Sequence, residues 1–443
     1  MALSFLYGAG VGKWGWFPSS FLEQATDQAR AVKAKVESQL LSRPTTYTNP
    51  SRYNRSGAEV VRGNEMEEGL TLLSSSWKGE SGWEPELRLI DKKGDVMHRW
   101  RVNRTKLFPG GGDTKKSSAQ TDVHGSYLMG NGDIVVNVEY VGMARINSCG
   151  EVLWTLEEGN HHSIARSDDG SFWVPGVSEA PRSEVEGYPD GFPGLQGKKI
   201  WIDRILNVSK DGELIKDINV IDILYKNGLE RYIPKELGGA FYSVKDITRD
   251  ITHINDIEPL NSSMEKEYPN FEAGDLLVSA RNLNLVFVFN PETMKVKWHE
   301  SDKFIHQHDP DFIGGGWIGV FDNNHDFTHG EMLGGSRIVK IRPHDDSVRI
   351  KFPTQESDAF YTTVQGKWQE LGNGNMLLTE SAAGRAVEVD SEGRTVWEWI
   401  HAPFNNSSMV PVVTKATRHE LTREEVASWP CSSVDSVGSS TQN

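Results

Sequence analysis

Residues 124–157 read HGSYLMGNGDIVVNVEYVGMARINSCGEVLWTLE. The stretch divides into four short strands. One starts at His124; a Gly-Asn-Gly-Asp turn leads to IVVNVEY, then GMARIN, a Ser-Cys-Gly turn and EVLWTL. Glycine and asparagine supply the positive φ that tight turns need, and β-branched residues fill the strands between them. The same grammar recurs along the chain. HHSIARSDDGSFWV at 161–174 opens a second copy, which resumes after an insertion at 179–198 as KIWIDRILNVSKDGELIKDI. A third starts at His253, carries an insertion at 261–272 and ends in LVFVFNPETMKVKW. A fourth runs from His308 to SRIVKIRPHDDSVRIKF, and another occupies 366–400. Residues 69–102 form a partial copy without a first strand. Six units of four strands predict an all-β fold, a six-bladed β-propeller in which each blade buries its faces against its neighbours. MVPVVTKATRHEL, 409–421, alternates like a strand and could supply the missing one and close the ring.

Outside the repeats the chain divides into an N-terminal region, 1–66, the propeller at 67–427, and a Ser-rich tail at 428–443 expected to be disordered. ALSFLYGAGVG, 2–12, is too short to span a bilayer. Two readings of it stand: a buried or frayed arm, or the remnant of a membrane anchor with Trp14, Trp16 and Phe17 at the interface. Residues 21–41 follow a Pro-Ser-Ser start signal and predict an amphipathic helix, and 42–66 read as a polar linker. The net charge of −15 argues against a nucleic-acid partner. Cys149 and Cys431 give neither a disulfide framework nor a zinc pattern, and the position of Cys431 in the tail speaks against a bridge between them.

Inner strands of a propeller line its central channel, so their first residues converge on one end of the axis. His124, His162, His253 and His308 share this phase; in the last blade Gly366 holds it, beside Gln365 and Lys367. Imidazoles serve covalent or acid–base catalysis, or hold a metal. No closely spaced metal motif accompanies them. Arg281 and Arg337, inside strand-like sequence near these histidines, suit an anionic substrate, because a guanidinium presents a planar fork to an oxyanion. Asp256 and Glu258 could orient His253 or cap turns. The insertion GYPDGFPGLQG, 187–197, is a candidate lid or a surface decoration.

In its order of segments the chain resembles the arylsulfate sulfotransferase family, bacterial six-bladed propellers that move a sulfuryl group between phenols. The family shows a His-x-Asn segment leading to a strand that ends Ser-Arg, then a Gln-His segment and a second Ser-Arg. Here these are His253-Ile254-Asn255, Ser279-Ala280-Arg281, Gln307-His308-Asp309 and Ser336-Arg337. FDNN at 321–324, with Asn323, is similar to the family's Phe-Asp-Asn-Gly turn, and HHSIARSDDG at 161–170 to its His-His-Asp segment. The resemblance implies His253, His308 and Arg337 as the catalytic set, and Arg281, Asn255, His162, His124 and Asn323 around the substrate. It implies an aryl sulfate donor, a phenolic acceptor, a sulfohistidine intermediate, and no metal, nucleotide donor or other cofactor. It also implies a periplasmic or cell-envelope location, with membrane association through the N-terminus; the oligomeric state stays open. With no histidine at the last blade's phase, the nucleophile is His308 or His253, or the chain is a divergent branch with another activity. The competing readings are a metal- or quinone-dependent propeller enzyme using the axial histidines, and a non-catalytic propeller that binds a ligand or partner.

Overall fold

The computed structural model describes residues 47–79, 82–109, 122–178, 192, 194, 200–233, 250–326, 331–332, 334–404 and 408–431. The expected N-terminal arm and helix, most of the candidate lid and residues 432–443 lie outside them.

Six antiparallel four-stranded sheets form a propeller. Blade 1 comprises Leu70–Gly79, Gly82–Ile90 and Val96–Arg101, and its inner strand is Lys415–His419 from the other end of the chain, paired Lys415 to Ser74 and His419 to Leu70. Blades 2 to 5 have inner strands Val123–Leu128, Ala165–Arg166, Ile254–Pro259 and His308–Phe312. Blade 6 starts at Lys367–Glu370 and ends at Thr395–Ile400. Closing the ring with a late strand pairs an edge that would otherwise be open on blade 1.

The packing explains why the middle strands are apolar on both faces. In Leu276–Ala280 of blade 4, Leu276, Val278 and Ala280 join a cluster with Ile205 and Trp173 of blade 3, while Leu277 joins one with Phe312 and Val320 of blade 5. Four more clusters fill the remaining gaps between neighbouring blades: Leu87 with Ile134, Val135 with Phe172, Phe321 with Leu378, and Leu73 with Trp397. A side chain on either face of a middle strand is therefore removed from water, and each buried Val, Leu or Phe contributes about 1.5–3 kcal/mol by transfer.

Three expectations are corrected. The stretch read as a linker contains two strands: Gly57–Val60 adds a fifth, outer strand to blade 6, and Thr48–Pro50 pairs with Met409–Pro411. The start of the tail is part of the fold, because Trp429 is buried against Trp100 and His98 and donates from Nε1 to the Gly130 carbonyl. Cys149 and Cys431 form a disulfide across 282 residues. The position of Cys431 at the start of the tail does not prevent the bridge, because the strand that closes blade 1 returns the chain to the side of blade 2. A short helix, Arg423–Ala427, started by a Thr422–Glu425 capping box, then aims Trp429 at the blade 2 turn. Gly132 in that turn has φ +84°, and a Cβ there would lie 2.6 Å from the Trp429 ring.

Candidate active site

The inner strands begin with a change of register. Bulges fall at Val123–Ser126, Ile254–Asp256 and His308–Asp311, and His162, His253 and Gln365 take left-handed backbone with φ of 53°, 50° and 60°. Such conformations cost free energy for residues other than glycine and cluster where geometry matters. Their effect is to bring His124, His162, His253, His308 and Gln365 together at one end of the axis. The His124 and His162 rings lie 4.6 Å apart, and those of His162 and His253 4.8 Å apart. His162 Nε2 is 3.2 Å from His253 Nε2. Gln365 Nε2 is 2.5 Å from His124 Nε2, and the Gln365 backbone N–H donates to His308 Nε2 at 3.2 Å. Gly125 allows the blades this close, since a Cβ there would sit 1.9 Å from the His162 carbonyl oxygen.

The imidazoles of His253, His308 and His162 are each hydrogen-bonded through their other nitrogen. His253 Nδ1 lies 2.5 Å from Asp250 Oδ2. His308 Nδ1 lies 2.6 Å from Asn323 Oδ1, and the Asn323 amide donates to the Thr362 and Gln365 carbonyls, which fixes its oxygen toward the ring. His124 Nδ1 is 3.7 Å from Glu139 Oε1. His162 Nδ1 is 2.7 Å from Nδ1 of its neighbour His161. Burial, and then the Arg281 charge, hold His308 well below the usual imidazole range. Burial followed by the surrounding histidines does the same to His162. Both are therefore neutral near pH 7, the form with a lone pair to give.

Of the two arginines, Arg281 bears on the ring: its charge depresses His162, His306 and His308. Its backbone N–H donates to the His253 carbonyl. Arg337 sits two strands out from the axis in blade 5, with Nε 2.6 Å from the fully buried Asp322 carboxylate. Asn255 is buried and donates to the Gln307 carbonyl, joining blades 4 and 5, and Asn323 acts through His308. The acid that orients His253 is Asp250. Asp256 instead meets Lys367 Nζ at 3.2 Å, which also bonds Asp309. The last blade contributes Gln365, one residue before the glycine that the repeat phase picks out. Gly366, at φ +108°, is there because a Cβ would stand 2.5 Å from the Phe321 ring. His401, buried on Trp77 and bonded to the Ser76 and Ala402 carbonyls, belongs to the packing between blades 6 and 1.

Beyond the imidazole layer the axis changes character. Asp256, Glu258, Asp309, Asp311, Lys367 and Lys415 line a cavity of about 470 Å³. Burial, then Asp256 and Asp309, raise Glu258 to about 8. Lys367 stays charged, since the attraction of Asp256 and Asp309 outweighs its burial.

Among the described residues two groups bring three potential metal-ligand atoms within 4.8 Å of one another: His124, Glu139 and His162, and Asp256, Asp309 and Asp311. Neither fits a resident cation well. Both ring nitrogens of His162 already face other imidazoles, and an ammonium occupies the space between Asp256 and Asp309.

The fold and the site together define a propeller with a ring of buried imidazoles at one end of its axis and a guanidinium adjoining them. The chain belongs to the arylsulfotransferase (ASST) family, whose model matches residues 127–402. Among solved structures it is similar to a Bacteroides caccae protein of unknown function, at 13% identity over 78% of this chain and 99% of that one, with a TM-score of 0.46. A streptogramin B lyase matches at 11% identity over 84% and 98%, with a TM-score of 0.38. A chain of a nidogen/laminin complex matches at 9% identity over 77% and 96%, with a TM-score of 0.42. No curated protein matches the chain.

Proposed function

We propose that this protein transfers a sulfuryl group from an aryl sulfate to a phenolic acceptor through a histidine of the axial ring. The observation that carries the reading is the meeting of neutral, buried imidazoles beside Arg281 on one axis, in a chain of this family. Sulfuryl transfer, like phosphoryl transfer, asks for in-line positioning and for stabilisation of charge on the equatorial oxygens. Arg281 supplies that charge. His308 is the better nucleophile of the two candidates: with Nδ1–H given to Asn323, its lone pair is on Nε2 and meets a single backbone N–H. The lone pair of His253 is engaged by His162. His308 Nε2 attacks sulfur, the S–O bond to the aryl group breaks, and an N–S bond forms; an acceptor phenol then takes the group and releases His308. Arg337 steadies Asp322 at the rim of blade 5.

The disulfide supports a cell-envelope or periplasmic setting, since such bridges persist in oxidising compartments. Among the described residues no helix is long and apolar enough to cross a membrane; an N-terminal anchor belongs with the residues before Tyr47.

The test is incubation with 4-nitrophenyl sulfate and a phenol, following 4-nitrophenolate, with intact-mass measurement of the acceptor-free mixture quenched with denaturant at alkaline pH. Turnover together with a sulfuryl adduct that maps to His308 is expected. No turnover with any aryl sulfate, and no adduct, would overturn the reading.

A further inference from the structure

Two residues that the transfer step does not use, His161 and Asp203, extend the ring sideways. Asp250 Oδ2 lies 2.5 Å from His253 Nδ1, His253 Nε2 lies 3.2 Å from His162 Nε2, and His162 Nδ1 lies 2.7 Å from His161 Nδ1. His161 Nε2 lies 3.5 Å from Asp203 Oδ1 and makes no hydrogen bond. All three imidazoles are buried. Asp203 is buried too and is held in place by Thr252 Oγ1 and the Ile254 N–H.

A carboxylate only accepts, so the direction of every bond follows from Asp250. His253 donates from Nδ1 and accepts at Nε2. His162 therefore donates from Nε2 and accepts at Nδ1, so His161 donates from Nδ1. Three neutral imidazoles carry three protons, and these fill the three short links. The fourth link, His161 to Asp203, is left without one, and it is the long one. We infer that the chain Asp203–His161–His162–His253–Asp250 is a proton relay with one vacant place, which serves the proposed sulfuryl transfer by protonating the departing phenolate and receiving the acceptor's proton.

Loaded with a fourth proton at His161 Nε2, between the ring and Asp203, the chain gives one up when the aryl S–O bond breaks. The phenolate takes the proton between His162 and His253, the His161 Nδ1 proton moves to His162 Nδ1, and phenol leaves. In the return half the acceptor hydroxyl loses its proton to the chain as its oxygen bonds sulfur and the His308 N–S bond breaks. The extra charge resides at the ends, beside the carboxylates. The middle ring, His162, is surrounded by His124, His161, His253 and Arg281, all of which oppose a positive charge there. Tyr140 stacks on His161 at 4.8 Å. Burial, then Asp250 and Glu139, keep its phenol protonated. His161 and Asp203 act through His162 and His253, so they are positioning residues that also hold the proton.

The experiment compares phenyl sulfate with 4-nitrophenyl sulfate as donors in the wild type, His161→Phe and Asp203→Asn. Phenolate needs its proton far more than 4-nitrophenolate does. Each variant should lose at least ~10-fold more turnover on phenyl sulfate than on 4-nitrophenyl sulfate, within the ~10²–10⁴ range of acid–base assistance. Equal losses on both donors in folded variants, or no loss on either, would overturn the relay. Nitrogen-15 spectra of histidine-labelled protein decide the same point without turnover. At pH 9 protons are expected on His161 Nδ1, His162 Nε2 and His253 Nδ1; any other pattern overturns it. If the wild type transfers no sulfuryl group, the proposed function fails while these spectra still judge the proton chain.

Discussion

His308 Nδ1 and Asn323 Oδ1 stand 2.6 Å apart, and the Asn323 amide nitrogen is tied to the carbonyls of Thr362 and Gln365 in the next blade. One side chain thus sets the tautomer of the proposed nucleophile and joins blades 5 and 6. Asn323→Ala should lower kcat by about 10–100-fold, the usual cost of losing a group that orients a reactive imidazole. The sulfuryl adduct should still form, more slowly, on His308. His308→Ala should abolish both adduct and turnover. Stopped-flow release of 4-nitrophenolate, with mass measurement of the quenched protein, checks both.

The two arginines separate in the same assay. Arg281→Ala should reduce kcat/KM by about 10²–10³-fold, as expected when a donor to developing oxyanion charge is lost. Arg337→Ala leaves the buried Asp322 with the Ile305 and Asn324 N–H groups but without its charged partner. Its larger effect should be on stability, a fall in Tm with a smaller loss of turnover. Thermal unfolding measured beside the kinetics distinguishes them.

Glu258 gives the stability a pH slope. Its carboxyl is raised to about 8 in the fold against an ordinary 4.5, chiefly by burial and then by Asp256 and Asp309. Between those values the unfolded chain has released a proton that the folded chain keeps, so stability is full below pH 4.5 and falls as pH rises toward 8, by at most ~1.4 kcal/mol per unit. Asp311, raised for the same reason, adds to the slope. Glu258→Gln should flatten it and be the more stable protein at pH 8. Denaturant titrations from pH 5 to 8 check this.

The Cys149–Cys431 bridge fastens a segment that Trp429 also holds against blade 2. Cys431→Ser should cost about 2–4 kcal/mol. Reductant should lower the Tm of the wild type and leave that of Cys431→Ser unchanged. Turnover should be unaltered in both, because the latch sits on the turns of blade 2 at the strand ends opposite His124.

Much of this was legible in the chain itself. A period of four strands with Gly-Asn turns defines the propeller, because the middle strands need apolar residues on both faces and the tight turns need positive φ. The phase of His124, His162, His253 and His308 follows from the same period, and so does their arrival at one axis. The phase failed by one residue in blade 6, where Gly366 is kept by the Phe321 ring and Gln365 takes the place in the site. What the tertiary structure alone decided is whatever depends on partners far apart in sequence. Arg281, just after the second strand of blade 4, depresses the ring histidines, whereas Arg337, which opens the third strand of blade 5, pairs with Asp322. Asp203, on the third strand of blade 3, meets His161 in the segment that leads into the first. Cys149 meets Cys431 because the last strand returns to the first blade. Local sequence dictates dihedrals and which faces are apolar. It leaves open which charge meets which, because that depends on the closure of the ring, and at the axis of this propeller those meetings set the tautomers of the imidazoles and hence their chemistry.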